Sequence, residues 1–186
     1  MSDDGVGHSA GDGAIRLDRW TVTSGSNVNS RAAVVIRAGG HDWKASAEGN
    51  GAVDALYQAV DRALSDVLGG HPALLSYDVH ALAEGPAAEG HVSVRIAPPP
   101  ASPGARAEGR FSGEASSTNT VASSVEAYVA ALNGMLGTAP WAGATAAAAE
   151  AAARRRLARG LESGTGTPAE FDVEAEDLDP NDWFNR

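Results

Sequence analysis

Two kinds of hydrophobic pattern occur along this chain and divide most of it into two similar halves. In His91-Val92-Ser93-Val94-Arg95-Ile96 every second residue is apolar, which is typical of a strand with one buried face. Comparable runs, separated by glycine turns, predict three strands in each half. The predicted strands are 15–24, 32–38 and 42–47 in the first half, and 74–84, 91–97 and 107–113 in the second.

A predicted helix follows the three strands of each half. Over 52–68 and over 120–136 the apolar residues recur at intervals of three and four, which places them on one face of a helix. Because the strands run together and do not alternate with helices, we predict an α+β fold. Two strand-strand-strand-helix units are expected to form a mostly antiparallel sheet layer with the helices on one face.

The turn Gly49-Asn50-Gly51 lies directly before the first predicted helix and is the strongest candidate for chemistry. The first N–H groups of a helix lack partners within it, and together with the helix dipole they favour a carboxylate or a phosphate. A similar block of small polar residues, 112–119, precedes the second helix. A glycine-rich turn alone is a weak signal, since most such turns bind no ligand.

Several short motifs occur in a distinctive order between residues 17 and 136. The first are Val22-Thr23-Ser24-Gly25 and Ala47-Glu48-Gly49-Asn50-Gly51-x-Val53-Asp54-Ala55-Leu56-Tyr57, followed by Tyr77-x-x-x-Ala81, a turn at Gly85 and Val92-Ser93-Val94. The last are Ser117-Thr118-Asn119 and Ser123-Ser124-Val125-x-Ala127-Tyr128-x-x-Ala131-Leu132-Asn133. This ordered set resembles the C-terminal regulatory (dimerisation) domain of 2-isopropylmalate synthase, which citramalate synthase shares.

The resemblance implies a non-catalytic domain. In the family, the domain follows a large metal-dependent barrel that condenses acetyl-CoA with a 2-oxo acid. The domain pairs with its twin and binds the pathway's end product, typically leucine, near the interface of the pair. Such a barrel needs about 250 residues, so it does not fit within these 186 residues. We therefore expect a free-standing regulatory domain that forms a homodimer and has no catalytic residues, no metal and no cofactor.

The resemblance also implies which residues form a ligand site. Backbone N–H groups of Gly49, Asn50 and Gly51 would receive the carboxylate of the ligand. Five further positions would line the pocket for its side chain: Val53, Leu74, Tyr77, Ala81 and Ala88.

Two departures from the family pattern leave the identity of the ligand open. The family commonly has Asp in the turn after Gly85 and another Asp after Ser-Thr, where this chain has Pro86-Ala87-Ala88 and Asn119. Losing these carboxylates removes partners for an ammonium group. The expected ligand is therefore either a leucine-like amino acid or a branched 2-oxo or hydroxy acid.

Composition argues against several other classes of protein. The chain has no cysteines, so disulfides and cysteine-bound metals are excluded. No run of 18 apolar residues and no signal-peptide pattern occurs, so we expect no membrane partner and a cytoplasmic location. The net charge of −10 argues against nucleic acid as a partner. Residues 162–186 hold eight acidic residues and one basic residue, which leaves only −3 for the first 161 residues.

A catalytic role for these residues has little support. His80 and His91 could approach one another across paired strands, with Glu84 and Glu89 near the connecting turn, but surface-facing strand residues explain this pattern more simply. No Ser/His/Asp order, phosphate loop with Lys, or HExxH helix is present. A small enzyme that reuses the ligand pocket would need polar groups that the pocket positions do not supply.

Composition also divides the chain into a domain and three flanking segments. We expect residues 1–13 to be disordered, the domain to span 14–137 and an Ala/Arg-rich helix to span 138–161. That helix carries Arg154, Arg155, Arg156 and Arg159, and it is a solvated helix, a partner-docking helix or a nucleic-acid contact. The acidic tail 162–186 is expected to be disordered.

Trp183 and Phe184 in the acidic tail are candidate partner-docking residues. Acidic residues keep such a segment solvated while its aromatic side chains remain accessible as anchors. The alternatives are that the tail docks onto the arginines at 154–159, that it is a modifiable peptide carried by the domain, or that it has no specific role.

The leading hypothesis is a dimeric regulatory domain that binds a small molecule and acts on a separate partner protein, such as a separately encoded synthase. The alternative is a structural adaptor or carrier that dimerises and recruits partners through its C-terminal helix and tail, without a ligand.

Overall fold

The α+β architecture expected from the sequence is confirmed, with the strand-strand-strand-helix order repeated twice. The computed structural model describes residues 13–38, 40–84, 88–100, 102 and 109–162. The first half contains β1 (Arg16–Thr23), β2 (Ser30–Ala38), β3 (His41–Gly49), α1 (Ala52–Ala63) and the short helix α2 (Ser65–Leu68). The second contains β4 (Ala73–Ala81), β5 (Gly90–Ala97), β6 (Phe111–Ser117) and α3 (Thr120–Leu136), followed by a 3-10 turn at Ala139–Trp141 and helix α4 (Ala144–Glu162).

The strands form two separate three-stranded antiparallel sheets, ordered β1-β2-β3 and β4-β5-β6. The first strand of each sheet carries an irregularity at its third residue, between Leu17 and Arg19 in β1 and between Leu74 and Ser76 in β4. An irregularity at the same place in both halves supports an internal repeat, since a bulge is a built feature of a strand.

Each sheet is covered by the helix that follows it. Helix α1 lies over β2 and β3, α3 lies over β5 and β6, and the two helices contact one another. The covered face of each central strand is apolar and buried, with Ala32, Val34 and Ile36 in β2 and Val92, Val94 and Ile96 in β5. The alternating pattern in the sequence therefore marks the faces that form the core.

The last strand lies further along the chain than the sequence predicts. The sequence predicts this strand over 107–113, with the small polar block 112–119 before the helix, but β6 runs from Phe111 to Ser117 and every one of its residues pairs with β5. Small residues are needed in β6 because α3 lies very close to it. A Cβ atom on Gly113 would come within 2.1 Å of the Ala127 carbonyl oxygen.

The helix predicted over 52–68 is divided into α1 and α2. Helix α1 ends at Ala63, and Leu64 between the two helices has φ −95° and ψ 13°, outside the helical region. The apolar stripe nevertheless continues through the break, because Leu64, Val67 and Leu68 are all buried.

The alanine-rich segment after α3 is packed against the domain at its beginning and exposed at its end. Trp141, Thr145 and Ala148 are buried, whereas residues 153–159 are exposed. The side chain of Asn133 also fixes the start of β1, since it donates to the carbonyl and accepts from the N–H of Ile15, both at 2.8 Å. A fully solvated helix is therefore the wrong description of the first half of α4. No helix among the described residues is long and apolar enough to cross a membrane.

Candidate functional site

The predicted anion-binding turn lies between the end of β3 and the start of α1. Gly49 is buried, and a Cβ atom on it would lie 2.5 Å from the backbone nitrogen of Ala55, so the close approach of strand and helix requires glycine there. Gly51 is the residue that precedes the first turn of α1, and a Cβ atom on it would meet nothing within 4 Å. The two glycines therefore have different roles, since only Gly49 is required by packing.

The N-terminus of α1 has no side-chain cap. Gly51 has an extended backbone, with φ −156° and ψ 171°, and as a glycine it has no side chain that could accept from the first N–H groups of the helix. The first N–H groups of a helix have no intrahelical acceptors, so they face the space beyond Gly51. This arrangement fits a carboxylate, because the N–H groups and the helix dipole act in the same direction.

One acidic side chain already lies at this turn. Asp54 Oδ2 accepts a hydrogen bond of 2.9 Å from the N–H of Asn50 and another of 3.1 Å from the Nε2 of Gln58. The turn therefore combines unsatisfied donors at the helix start with a fixed negative charge beside them. A ligand that carries both a carboxylate and an ammonium group would match both features.

The corresponding turn before α3 is satisfied by its own side chain. Asn119 Oδ1 accepts from the N–H groups of Val121 and Ala122 at 3.0 and 3.2 Å. The sequence suggests that the two turns are similar, but their backbone N–H donors differ. Those of α3 are capped by Asn119, whereas those of α1 have no capping side chain at Gly51. Asn119, noted from the sequence as a departure from the family pattern, acts here as a helix cap.

The predicted pocket residues on β4 share one face of the second sheet. Leu74, Tyr77 and Ala81 lie opposite Ile96, Val94 and Gly90 of β5, and residues directly opposite in an antiparallel pair point to the same side. That side is the one that α3 covers over β5 and β6. On β4 it is left open, so Leu74 is 50% exposed and Tyr77 38% exposed.

Tyr77 connects this open strand to helices α1 and α3. Its hydroxyl lies 2.8 Å from the hydroxyl of Ser124 on α3, and its ring meets the ring of Tyr57 on α1 edge-on at 6.4 Å. Val53 lies four residues before Tyr57, on the same face of α1, and is partly buried. The structure thus brings Tyr77 to the face of α1 that begins at the glycine turn.

The remaining positions considered in the sequence analysis are Ala88, the aromatic pair Trp183 and Phe184, and the histidines His80 and His91. Ala88 is half-buried and lies in the connection just before β5, directly after the undescribed residues 85–87. Trp183 and Phe184 lie outside the described residues. His80 and His91 are directly opposite one another on β4 and β5, yet no group of three or more His, Asp or Glu side chains among the described residues is placed to hold a metal ion.

A tyrosine cluster joins the two halves of the domain, and the sequence interpretation missed it. The chain has three tyrosines and all of them belong to it: Tyr57 stacks on Tyr128 at 4.2 Å and meets Tyr77 edge-on. The hydroxyl of Tyr57 also donates to the carbonyl of Ser124 at 3.1 Å. The sequence does place Tyr57 and Tyr128 on the apolar faces of the two predicted helices, and this could have indicated that the two rings meet where the helices pack.

A buried carboxylate completes this cluster. Asp61 Oδ1 accepts a hydrogen bond of 2.6 Å from the Tyr128 hydroxyl, and its Oδ2 lies 3.2 Å from Nδ1 of His71. Burial raises the pKa of Asp61 above its ordinary value, while the contacts with Tyr128 and His71 act in the opposite direction. Burial also raises the pKa values of the Tyr57 and Tyr128 hydroxyls, so both remain protonated donors. In the sequence, Asp61 follows Tyr57 by one turn, which could have placed it at this interface.

Comparison with known proteins shows the family to which the chain is similar. A family model described as the LeuA allosteric (dimerisation) domain matches residues 4–136. A 2-isopropylmalate synthase of Salinibacter ruber (strain M8) is 34% identical over 134 residues, which are 72% of this chain and 22% of that protein. Another 2-isopropylmalate synthase, of Methylobacterium nodulans, is 37% identical over 137 residues, which are 73% of this chain and 24% of that protein. The chain thus spans about a fifth to a quarter of the length of the curated relatives it matches.

Proposed function

Because this chain belongs to the LeuA allosteric (dimerisation) domain family, we propose that it binds a small carboxylic acid at the Gly49–Gly51 turn and regulates a partner protein through its dimer. The observation that carries this proposal is the open start of α1. The helix has no side-chain cap at Gly51, whereas the equivalent helix of the second half is capped by its own Asn119.

The apolar part of the ligand would lie between the first turn of α1 and the open face of β4. Val53 is on the side of α1 that leads to Tyr57, and Tyr57 touches Tyr77 on β4. Leu74 and Ala81 extend the same face of β4, and Ala88 is the expected small residue beside the ligand. A branched apolar side chain is the matching ligand chemistry, because these side chains offer mainly carbon to it.

Asp54 favours an amino acid over a 2-oxo or hydroxy acid. Its carboxylate lies beside the turn, held by the Asn50 N–H at 2.9 Å, and would repel a ligand that carries only negative charge. The ammonium group of an amino acid would instead find a partner there. A leucine-like amino acid is therefore the proposed ligand, and leucine biosynthesis, which the names of the relatives suggest, is the proposed pathway.

The dimer proposed for the domain would cover the open face of β4. Leu74, Tyr77 and Val79 lie on this face, and each is more than a third exposed although the same face of β5 is buried. Contiguous apolar side chains at a sheet edge are typical of an interface. Ligand bound beside this face would change the stability of the pair, and a partner would sense that change through its differential affinity for the two arrangements. We also propose a cytoplasmic location, in keeping with a biosynthetic role.

The test is binding of leucine, its branched relatives and their 2-oxo acids, measured by calorimetry on the intact chain and on Gly51→Asp. Aspartate is a good helix cap, and the site has room for its Cβ, so the melting temperature of Gly51→Asp should match or slightly exceed that of the wild type. The new carboxylate would occupy the N–H groups and abolish binding. Ala153→Asp, which adds the same charge on the exposed side of α4, is the matched control and should bind normally. Equal affinities in all three proteins would refute the site.

A structural adaptor is the second candidate, and the contact between Asp54 and Asn50 favours it. If this carboxylate fills the turn permanently, the domain would dimerise and recruit partners without a small molecule. Asp54→Asn separates the two functions. It should weaken binding of an amino acid if the ligand proposal is right, and it should change neither dimerisation nor partner recruitment if the domain is an adaptor.

A further inference from the structure

An open groove of about 650 Å³ lies between α2 and α4, outside the candidate site. Its floor is apolar, formed by Val67 of α2 and by Ala147, Ala148 and Ala151 of α4. Arg154 and Arg155 also line it, together with Asp66 of α2. Small side chains line the groove where α4 departs from the body of the domain, and its charged lining holds two arginines against one aspartate, so its surface offers apolar contact together with a net positive charge.

The inner side of α4 changes character along its length. Thr145 and Ala148 are buried and Ala152 is half-buried, at intervals that keep them on one side of the helix. The same side continues with Arg155 and Arg159, both exposed. This side of the helix therefore carries small residues where it packs on the domain and arginines where it extends beyond the domain.

The arginines at the groove hold only exposed partners. Arg155 contacts Asp66 of α2 at 2.7 Å, and Arg154 contacts Glu150 at 2.8 Å, all with side chains that are about half exposed or more. Exposed ion pairs are weak, so another carboxylate can replace these partners at little cost. Four arginines and two glutamates give α4 a net charge of +2, which favours an acidic occupant.

The segment 163–186 has the complementary chemistry and follows α4, the helix that forms one side of the groove. It contains seven acidic residues and one basic residue, and it carries Trp183 and Phe184. The groove lies about 17–22 Å back along the helix from Glu162, at 1.5 Å per residue. The 20 residues between 163 and 183 can span up to about 66 Å when extended. The aromatic pair can therefore reach the groove with slack.

We propose that segment 163–186 binds back into the α2–α4 groove of its own chain. Trp183 and Phe184 lie against the alanine floor, and the acidic residues before them pair with Arg154, Arg155 and Arg159. An aromatic anchor in an apolar groove with a charged rim is a common form of peptide docking. A partner that recognises the same aromatic pair must first displace it from the groove. Docking in the groove therefore lowers the affinity of the segment for such a partner.

Disulfide trapping tests this proposal on the full chain, because the protein has no cysteines of its own. Ala151→Cys together with Asn185→Cys places one thiol in the groove and one beside the aromatic pair. The matched control is Ala153→Cys with Asn185→Cys, since Ala153 is exposed and points to the opposite side of the same helix. Diamide is the oxidant, and the intramolecular disulfide is followed by mass spectrometry in dilute protein.

Docking predicts that the groove pair closes roughly tenfold faster than the control pair, because binding raises the local concentration of one thiol at the other. Adding Trp183→Ser and Phe184→Ser, or Arg154→Gln and Arg155→Gln, should remove that difference. Equal rates for the two pairs would overturn the proposal. A groove disulfide that forms only between chains, and in proportion to protein concentration, would also overturn it and assign the groove to the segment of a second copy.

Discussion

The hydroxyl of Tyr128 on α3 donates a 2.6 Å hydrogen bond to the carboxylate of Asp61 on α1, and both residues are buried. Together with the hydrogen bond from the Tyr57 hydroxyl to the Ser124 carbonyl, this contact places buried polar groups in the mainly apolar junction between the two halves of the domain. The stacked rings of Tyr57 and Tyr128 lie beside it. The two repeats are therefore joined by specific polar geometry as well as by apolar packing.

Removing the Tyr128 hydroxyl should cost more stability than removing that of Tyr57. Tyr128→Phe deprives a buried carboxylate of a donor, which costs about 1.5–3 kcal/mol for a hydrogen bond to a charged group. Tyr57→Phe loses a bond to the neutral carbonyl of Ser124, which is worth about 0.5–1.5 kcal/mol. Each variant keeps its aromatic ring, so each is the other's control. Urea unfolding measures the free energy of unfolding of both variants. Equal losses would mean that the hydrogen bond to Asp61 contributes no more than the hydrogen bond to the Ser124 carbonyl.

The buried carboxylate also predicts a pH dependence with a definite sign. Because burial raises the pKa of Asp61 in the folded protein, the folded state holds that proton more tightly than the unfolded state. The resulting stability is present below the unfolded pKa and is lost as pH rises through the folded pKa. Asp61→Asn removes this titration, so its free energy of unfolding should improve relative to the wild type as pH increases.

Urea unfolding of the wild type and Asp61→Asn, from below the unfolded pKa of Asp61 to above its folded pKa, checks the prediction. Contributions from groups that do not contact Asp61 cancel in the difference. Asp66→Asn is the control, since its carboxylate is exposed and paired with Arg155. A difference between wild type and Asp61→Asn that stays constant with pH would show that the carboxyl titrates alike in both states.

The sequence predicts most of the fold because its periodicities are strong. The alternation in residues 91–96 marks β5, and the three- and four-residue spacing after Gly51 marks α1. The last strand, β6, is harder to place, because small polar residues such as Ser116 and Ser117 are common in turns as well as in strands. Their pairing with β5, which is a tertiary contact, decides between the two.

The candidate site could be predicted only in part. The glycine turn was recognisable from its position before a helix, but its difference from the second turn depends on where the side chain of Asn119 points. The contact between Asp61 and Tyr128 joins residues 67 positions apart, and the stacked rings of Tyr57 and Tyr128 also come from different halves of the chain. No periodicity in one segment can reveal such a contact, because it forms only when α1 and α3 pack.

Alanine at the two glycines of the turn should give opposite results. Gly49→Ala places a Cβ 2.5 Å from the Ala55 nitrogen and 2.7 Å from the Asp54 carboxylate, so strand and helix must move apart. Overpacking of this kind costs about 1–3 kcal/mol or more. Gly51→Ala meets no atom and has an extended backbone that alanine accepts, so its stability should change little. Thermal unfolding of the two variants measures the contrast, which a similar loss in both would contradict.

A charge on the open face of β4 should separate the dimer, whereas the same charge on the opposite face should not. Val79 lies on the apolar side with Tyr77, and it is 42% exposed in the single chain. If a second copy covers this face, Val79→Asp buries a carboxylate without a partner, at a cost of about 3 kcal/mol or more, which weakens the dimer more than a hundredfold. His80→Asp is the control, since the next residue along a strand points to the other side of the sheet.

Sedimentation equilibrium over a range of concentrations compares the two variants with the wild type, and urea unfolding shows whether each chain still folds. We expect Val79→Asp to be a folded monomer at concentrations where the wild type and His80→Asp are dimers. A dimer that persists in Val79→Asp would move the interface away from β4, and the exposed side chains of Leu74 and Tyr77 would then belong to the ligand pocket alone. The experiment therefore shows whether the open face of β4 belongs to the dimer interface or to the ligand pocket.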